Sequence, residues 1–178
     1  MSTPRASSSS VTIPAPGVYR VDPNLSTIAV RTRHLFGLGV VHATFTLRGG
    51  QIVVAQRVED SFAEATAAAA SFNSGNRGRD KRVVSKALLD AGEHPEFTFT
   101  SHQMIKTGSS WTAHGTLTAR GKGAPCEFAV IDTVERPEGL EVVAIGTVDR
   151  YAHGITGTKG FAGRYLEVTI TVVVSTVA

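Results

Sequence analysis

The stretch NRGRDKRVVSKALLDAGEHPEFTFTS, Asn76 to Ser101, decides how this chain is read. Asn76 or Asp80 can open a helix, because a short side-chain oxygen accepts a backbone N–H that a helix start leaves unpaired. Val83, Val84, Ala87, Leu88 and Ala91 then recur at helical spacing. Gly92 offers a left-handed stop, and Pro95 forbids a restart. Phe97 and Phe99 alternate with Thr98 and Thr100, the period of a strand with one buried face. No other window is as helical. One helix set among strands predicts a sheet or barrel with a lid.

Working outward toward the N-terminus, Ser61 to Phe72 is rich in Ala and Glu, which favours helix by propensity. Phe62, Thr66, Phe72 and the need for a sheet partner favour a strand, and the strand is the expectation. Gly17 to Asp22 reads as a short strand ended by Pro23-Asn24. Ser26 to Arg33 follows, with Ile28, Val30 and Thr32 on one face. Gly37 and Gly39 predict a turn after His34. Val40 to Arg48 runs back with Val41, Ala43, Phe45 and Leu47 on one face. Gly49-Gly50 is read as a two-residue hairpin returning through Gln51 to Gln56.

Toward the C-terminus the alternation is cleaner. Ser110 to Arg120 places Trp111, Ala113, Gly115, Leu117 and Ala119 on one face. After Gly121-Lys122-Gly123, Cys126, Phe128 and Val130 share a face, and Leu140 to Asp149 follows Pro137-Glu138-Gly139. Arg150 to Gly163 is a loop with four glycines. The last strand, Arg164 to Ser175, turns Leu166, Val168, Ile170, Val172 and Val174 to one side. Strands joined by short turns predict an all-β antiparallel barrel or sandwich with one or two short helices. Closure removes sheet edges, and eight strands enclose room for one ligand, so a barrel is the expectation.

The 178 residues suit one domain, read here as a barrel over 17–178 behind a Ser- and Pro-rich arm over 1–16 expected to be disordered. Apolar residues make up 42% and charged residues 19%, enough for a sizeable core. Net charge is +3, and no basic run is interleaved with aromatics, which argues against nucleic acid as a partner. Cys126 is the sole cysteine, so no intramolecular disulfide can form. No secretory h-region and no run of ~20 apolar residues is present, and a cytoplasmic protein is expected.

The six histidines, His34, His42, His94, His102, His114 and His153, include no helical i, i+4 pair of the HExxH kind, and no metal site is expected. His34 ends a strand beside a glycine turn, where it can cap loop carbonyls or meet a ligand headgroup. Arg79 with Asp80 reads as a cap and ion pair at the helix start, or as a headgroup contact. Arg77, Arg79, Lys81, Arg82 and Lys86 form a basic cluster, either a solvated face or a transient contact with anionic lipid. No serine has the GxSxG context of a nucleophile; a set such as Ser101, His34 and Asp80 could assemble only through the fold, and nothing in the sequence demands it. The expectation is therefore no catalytic residue, no enzyme and no required cofactor.

VDPNLSTIAVRTRHL (Val21–Leu35), VVHATFTLRGGQI (Val40–Ile52), the stretch from Ala70 through Ser101, LTARGKGAPCEF (Leu117–Phe128) and VDRYAHGI (Val148–Ile155) occur in that order. With the closing alternating strand, they resemble the YceI family of lipocalin-like, polyisoprenoid-binding proteins over about Gly17 to Ser175. The resemblance implies an extended eight-stranded antiparallel barrel with helices near one opening. It also implies a long apolar tunnel for a polyisoprenoid or an isoprenoid quinone, and a possible homodimer. Ala43 stands where the family usually has Gly, and His153 where it usually has an aromatic.

On this reading the tail contacts are Ile28, Val30, Val41, Phe45, Phe97, Phe99, Leu117, Phe128, Leu166, Val168 and Ile170, with His34 and Arg79 at the head. A chain of about 30 carbons at ~0.8 kcal/mol per buried CH₂ would nominally gain ~24 kcal/mol relative to water. That exceeds the ~18–21 kcal/mol ceiling of non-covalent complexes, because chain ordering opposes it. Exchange with a membrane, which is also apolar, is closer to balanced. Two alternatives stay open at this point: a small barrel enzyme acting on a bound lipid-like substrate, and a filled-barrel stress-related interaction protein.

Overall fold

In the computed structural model, which describes residues 11–34, 37–137, 139–158 and 162–177, the N-terminal strand is the closing piece. This strand, β1 (Gly17–His34), pairs on one edge with β2 (Gly39–Phe45) and β3 (Leu47–Val54), and on the other with the last strand. Between them run β4 (Phe62–Ala68), β5 (Glu96–Thr107), β6 (Ser110–Ala119), β7 (Lys122–Arg136), β8 (Gly139–Asp149) and β9 (Tyr165–Thr176). Each pairs antiparallel with the next, and β9 returns to β1. Because β2 and β3 both pair with β1, they are two halves of one stave. The result is a closed, eight-stranded antiparallel barrel with, among the described residues, one α-helix, α1 (Arg77–Val84), outside it.

Three expectations about local structure need correction. Gly49-Gly50 is not a hairpin turn: both glycines lie inside β3, opposite Thr66 and Ala65, and the stave breaks at Thr46 instead. The β3–β4 register shifts between Leu47 and Gly49, and a Cβ on Gly50 would stand 2.4 Å from the Glu64 carbonyl oxygen. Glycine there serves a close backbone approach beside a bulge. Likewise Pro23-Asn24 does not end a strand, since β1 runs through it and the register against β9 shifts between Asp22 and Thr27. Buried Ser26 fills that bulge, its Oγ donating to the Asp22 carbonyl at 2.6 Å and accepting from the Val173 N–H at 3.0 Å.

The third correction concerns the helix. Asn76 caps it as read, accepting from the Arg79 N–H at 3.0 Å, but the helix stops at Val84 and the left-handed residue is Asp90 rather than Gly92. The chain leaves the helix at Ser85, whose carbonyl accepts from the Leu88 and Asp90 N–H groups, and the irregular backbone that follows carries Leu88 and Leu89, each only 8% exposed, into the barrel end.

Apolar clusters follow the barrel axis. One gathers Tyr19, Val21, Leu47, Val54, Val172 and Val174; a second gathers Val30, Cys126, Phe128, Val148 and Val168. The third, Leu88, Leu89, Ala119 and Ile155, closes one end under the segment that follows α1. Residues 1–10 of the expected arm lie outside the described residues, whereas residues 11–16 reach the opposite end. There the Thr12 N–H donates to Thr133 Oγ1 at 2.7 Å, and the Tyr19 hydroxyl donates to the Ala15 carbonyl at 2.7 Å. Among the described residues no helix is long and apolar enough to cross a membrane.

Candidate ligand cavity

The inward residues of the staves leave two adjoining apolar cavities. The first, of about 160 Å³, is lined by Tyr19, Val21, Ile52, Val54, Trp111, Val172 and Val174 among others, with Val11, Thr12, Ile13 and Pro14 at its end. The second, of about 140 Å³, lies under the lid and includes Leu47, Leu89, Ala119, Val148 and Ile155. Ala65, Phe99, Phe128 and Ile170 belong to both linings. Phe99 and Phe128 meet edge to face, with ring centroids 5.1 Å apart at 87°, and form the partition. Inward glycines seat these rings: a Cβ on Gly115 would stand 2.9 Å from Phe99, and one on Gly146 would stand 2.7 Å from Phe128.

Ten predicted tail contacts line the second cavity: Ile28, Val30, Phe45, Phe97, Phe99, Leu117, Phe128, Leu166, Val168 and Ile170. Val41 lines neither cavity; it is half-buried on β2, opposite Thr32. His34 also lies off both cavities, its ring over Gly39 and its backbone bridged to Ala162. Arg79 is held at the helix start, where its Nε donates to Ser74 Oγ at 2.8 Å. Ser74 in turn donates its N–H and hydroxyl to Asp80 Oδ1. The structure therefore gives Arg79 and Asp80 a capping network and gives His34 a place in a turn.

Two polar residues that period could not assign do line the second cavity: Arg150 and His153, 5% and 3% exposed. Both sit on the 3₁₀ turn Arg150–His153 that follows β8. The Arg150 guanidinium donates Nε–H to the Gly163 carbonyl at 2.8 Å and Nη2 to that of Ala162 at 2.9 Å. Its Nη1 donates to the carbonyls of Ile155 at 2.6 Å and Gly157 at 2.8 Å. Four loop carbonyls are thereby gathered on one planar fork, a geometry only arginine offers. Burial lowers the Arg150 pKa, with the opposing influence of Tyr151 and Asp149 smaller. Asp149 is taken by Arg164, which grips both its carboxylate oxygens at 2.9 and 2.7 Å and lowers the carboxyl pKa.

The remaining titratable groups do not converge. Ser101 Oγ accepts from the Ala63 N–H at 2.7 Å, so Ser101, His34 and Asp80 each have a different surrounding. His114 pairs with Glu127 at 2.9 Å, and His102 meets Thr116 Oγ1 at 2.9 Å. Among the described residues no three His, Cys, Asp or Glu side chains group as metal donors. Cys126 faces the core beside Phe128, and burial pushes its thiol up to about 11.

With a closed barrel and an apolar interior established, comparison with known proteins is decisive. The family model for the YceI-like domain matches residues 19–178. The chain belongs to the YceI-like domain family. Two UPF0312 proteins, from Pectobacterium atrosepticum and Pectobacterium carotovorum, are each 30% identical to this YceI-like chain over 107 residues, or 57% of it. The match spans 56% of the length of each of these curated relatives. Among solved structures, BcnA of Burkholderia cenocepacia superposes with a TM-score of 0.74 at 18% identity, over 88% of this chain and 99% of that one. A polyisoprenoid binding domain from Saccharophagus degradans, implicated in plant cell wall breakdown, gives 0.64 at 13% identity, over 89% and 98%. At these identities the likeness is one of fold, the lipocalin-like YceI barrel.

Proposed function

We propose that this YceI-like domain binds and shields, or carries, one long apolar chain of the polyisoprenoid class inside its barrel. The observation that carries this reading is the pair of adjoining apolar cavities whose linings share Phe99, Phe128, Ala65 and Ile170. An interior meant only for stability would be filled to close packing. Each chamber is instead close to the ~150 Å³ hydrocarbon cavity that takes up a benzene-sized guest. A single isoprenoid segment suits one chamber, and a chain reaching both must displace the aromatic partition. The polyisoprenoid-binding neighbour supports the class of ligand. An isoprenoid quinone is a second member of that class. The mechanism involves no covalent step: burial holds the tail, and the few polar groups at the lid end meet the head.

Native mass spectrometry of the purified protein, followed by organic extraction, tests the reading. A co-purifying prenyl lipid or prenyl quinone is the expected result. A protein that arrives empty and takes up no added prenol would sink it.

A further inference from the structure

We infer that His153 makes the lid end of the second cavity a hydroxyl-recognising subsite, so that an apolar chain ending in an alcohol or phenol is preferred. The inference rests on the proposed binding of an apolar chain and adds what its end must carry. His153 is 3% exposed and lines a cavity otherwise walled almost wholly by carbon. Its Nδ1 lies 2.8 Å from the Lys122 carbonyl oxygen. A carbonyl can only accept, so Nδ1 carries the proton, and in the neutral ring Nε2 presents a lone pair. Among the described residues no hydrogen bond to Nε2 accompanies that contact. Such an acceptor beside an apolar chamber is costly to leave unused, and an O–H donor satisfies it.

The partner for the hydroxyl oxygen is adjacent. Residues three apart on a 3₁₀ turn stand one above the other, so Arg150 shares the face of His153. A guanidinium has five N–H bonds, and four of those on Arg150 are taken by loop carbonyls. The fifth, on Nη2, has no acceptor among the described residues and can donate to an oxygen whose own proton goes to His153. A hydroxyl satisfies both groups; an ether or a quinone carbonyl offers Nε2 nothing.

Farnesol and farnesyl methyl ether, which share a chain and differ in the O–H, separate the possibilities in a competition assay against a fluorescent fatty probe. The wild-type protein should bind farnesol roughly tenfold more tightly, one neutral hydrogen bond's worth. His153→Phe should weaken farnesol until the two affinities coincide. Equal affinities in the wild type, or a preference that survives His153→Phe, would overturn the subsite while leaving the apolar-chain reading in place. Failure of the wild type to bind either compound overturns that reading and the subsite together. Should His153→Phe not fold, ¹⁵N imidazole spectra of the wild type decide. The Nε2 resonance should move with farnesol and stay put with the ether, and a shift with neither or with both refutes the assignment.

Discussion

Cys126 is a small hydrophobe in the sequence and a packed wall residue in the barrel, beside Phe128 and Val168. Burial favours its protonated form, so the unfolded chain releases this proton first, near the ordinary value of 9.0, and the native thiol only near 11. The stabilising contribution is complete below the ordinary value and is lost as pH rises toward the native one. The slope is at most about 1.4 kcal/mol per pH unit. Urea titrations repeated from neutral to pH 11 should show a steeper alkaline loss in the wild type than in Cys126→Ala; parallel curves would mean the thiol ionises freely in the fold. At this scale strand period pointed to the apolar residues that line the second cavity, Val41 apart. Arg150 and His153 escaped assignment because a glycine-rich loop has none. Only the departure of His153 from the family pattern marked that position.

At the scale of the strand, irregularity is handled by buried serines. The register of β5 against β6 shifts between Ser101 and Gln103, and Ser101 Oγ accepts the Ala63 N–H of β4. Ser26 does the same for β9 across the bulge in β1. A hydroxyl at a bulge supplies the acceptor that an interrupted ladder lacks. Ser101→Ala should therefore cost about 1–3 kcal/mol in urea unfolding, the penalty for a buried N–H left without a partner. A change within error would show that water takes over the bond. Both serines stood in view in the sequence, but a bulge depends on which strand lies opposite. For the same reason Gly49-Gly50, a sound hairpin signal locally, proved to be the interior of β3. A closed barrel was expected from pattern; its closure by an unbroken β1 against β9, and the shifts within it, were not.

For the whole molecule, the Phe99–Phe128 pair sets whether the interior acts as two chambers or one. Phe128→Ala should merge them, at a cost of about 3–5 kcal/mol for the lost aromatic. Native mass spectrometry with prenols of graded length should then show the preferred chain growing longer. An unchanged preference would show that length is set elsewhere. The second edge of β2 is met not by a strand but by residues 68–73, through Ala68 on the Thr46 carbonyl, Thr44 with Asn73, and Ser71 Oγ on the Thr46 N–H. Opening that seam would break only these few bonds and leave the ladder from β3 through β9 to β1 intact. Under the proposed binding of an apolar chain, durability would rest on the closed ladder and access on this looser margin, so reinforcing the staves need not slow exchange of a guest.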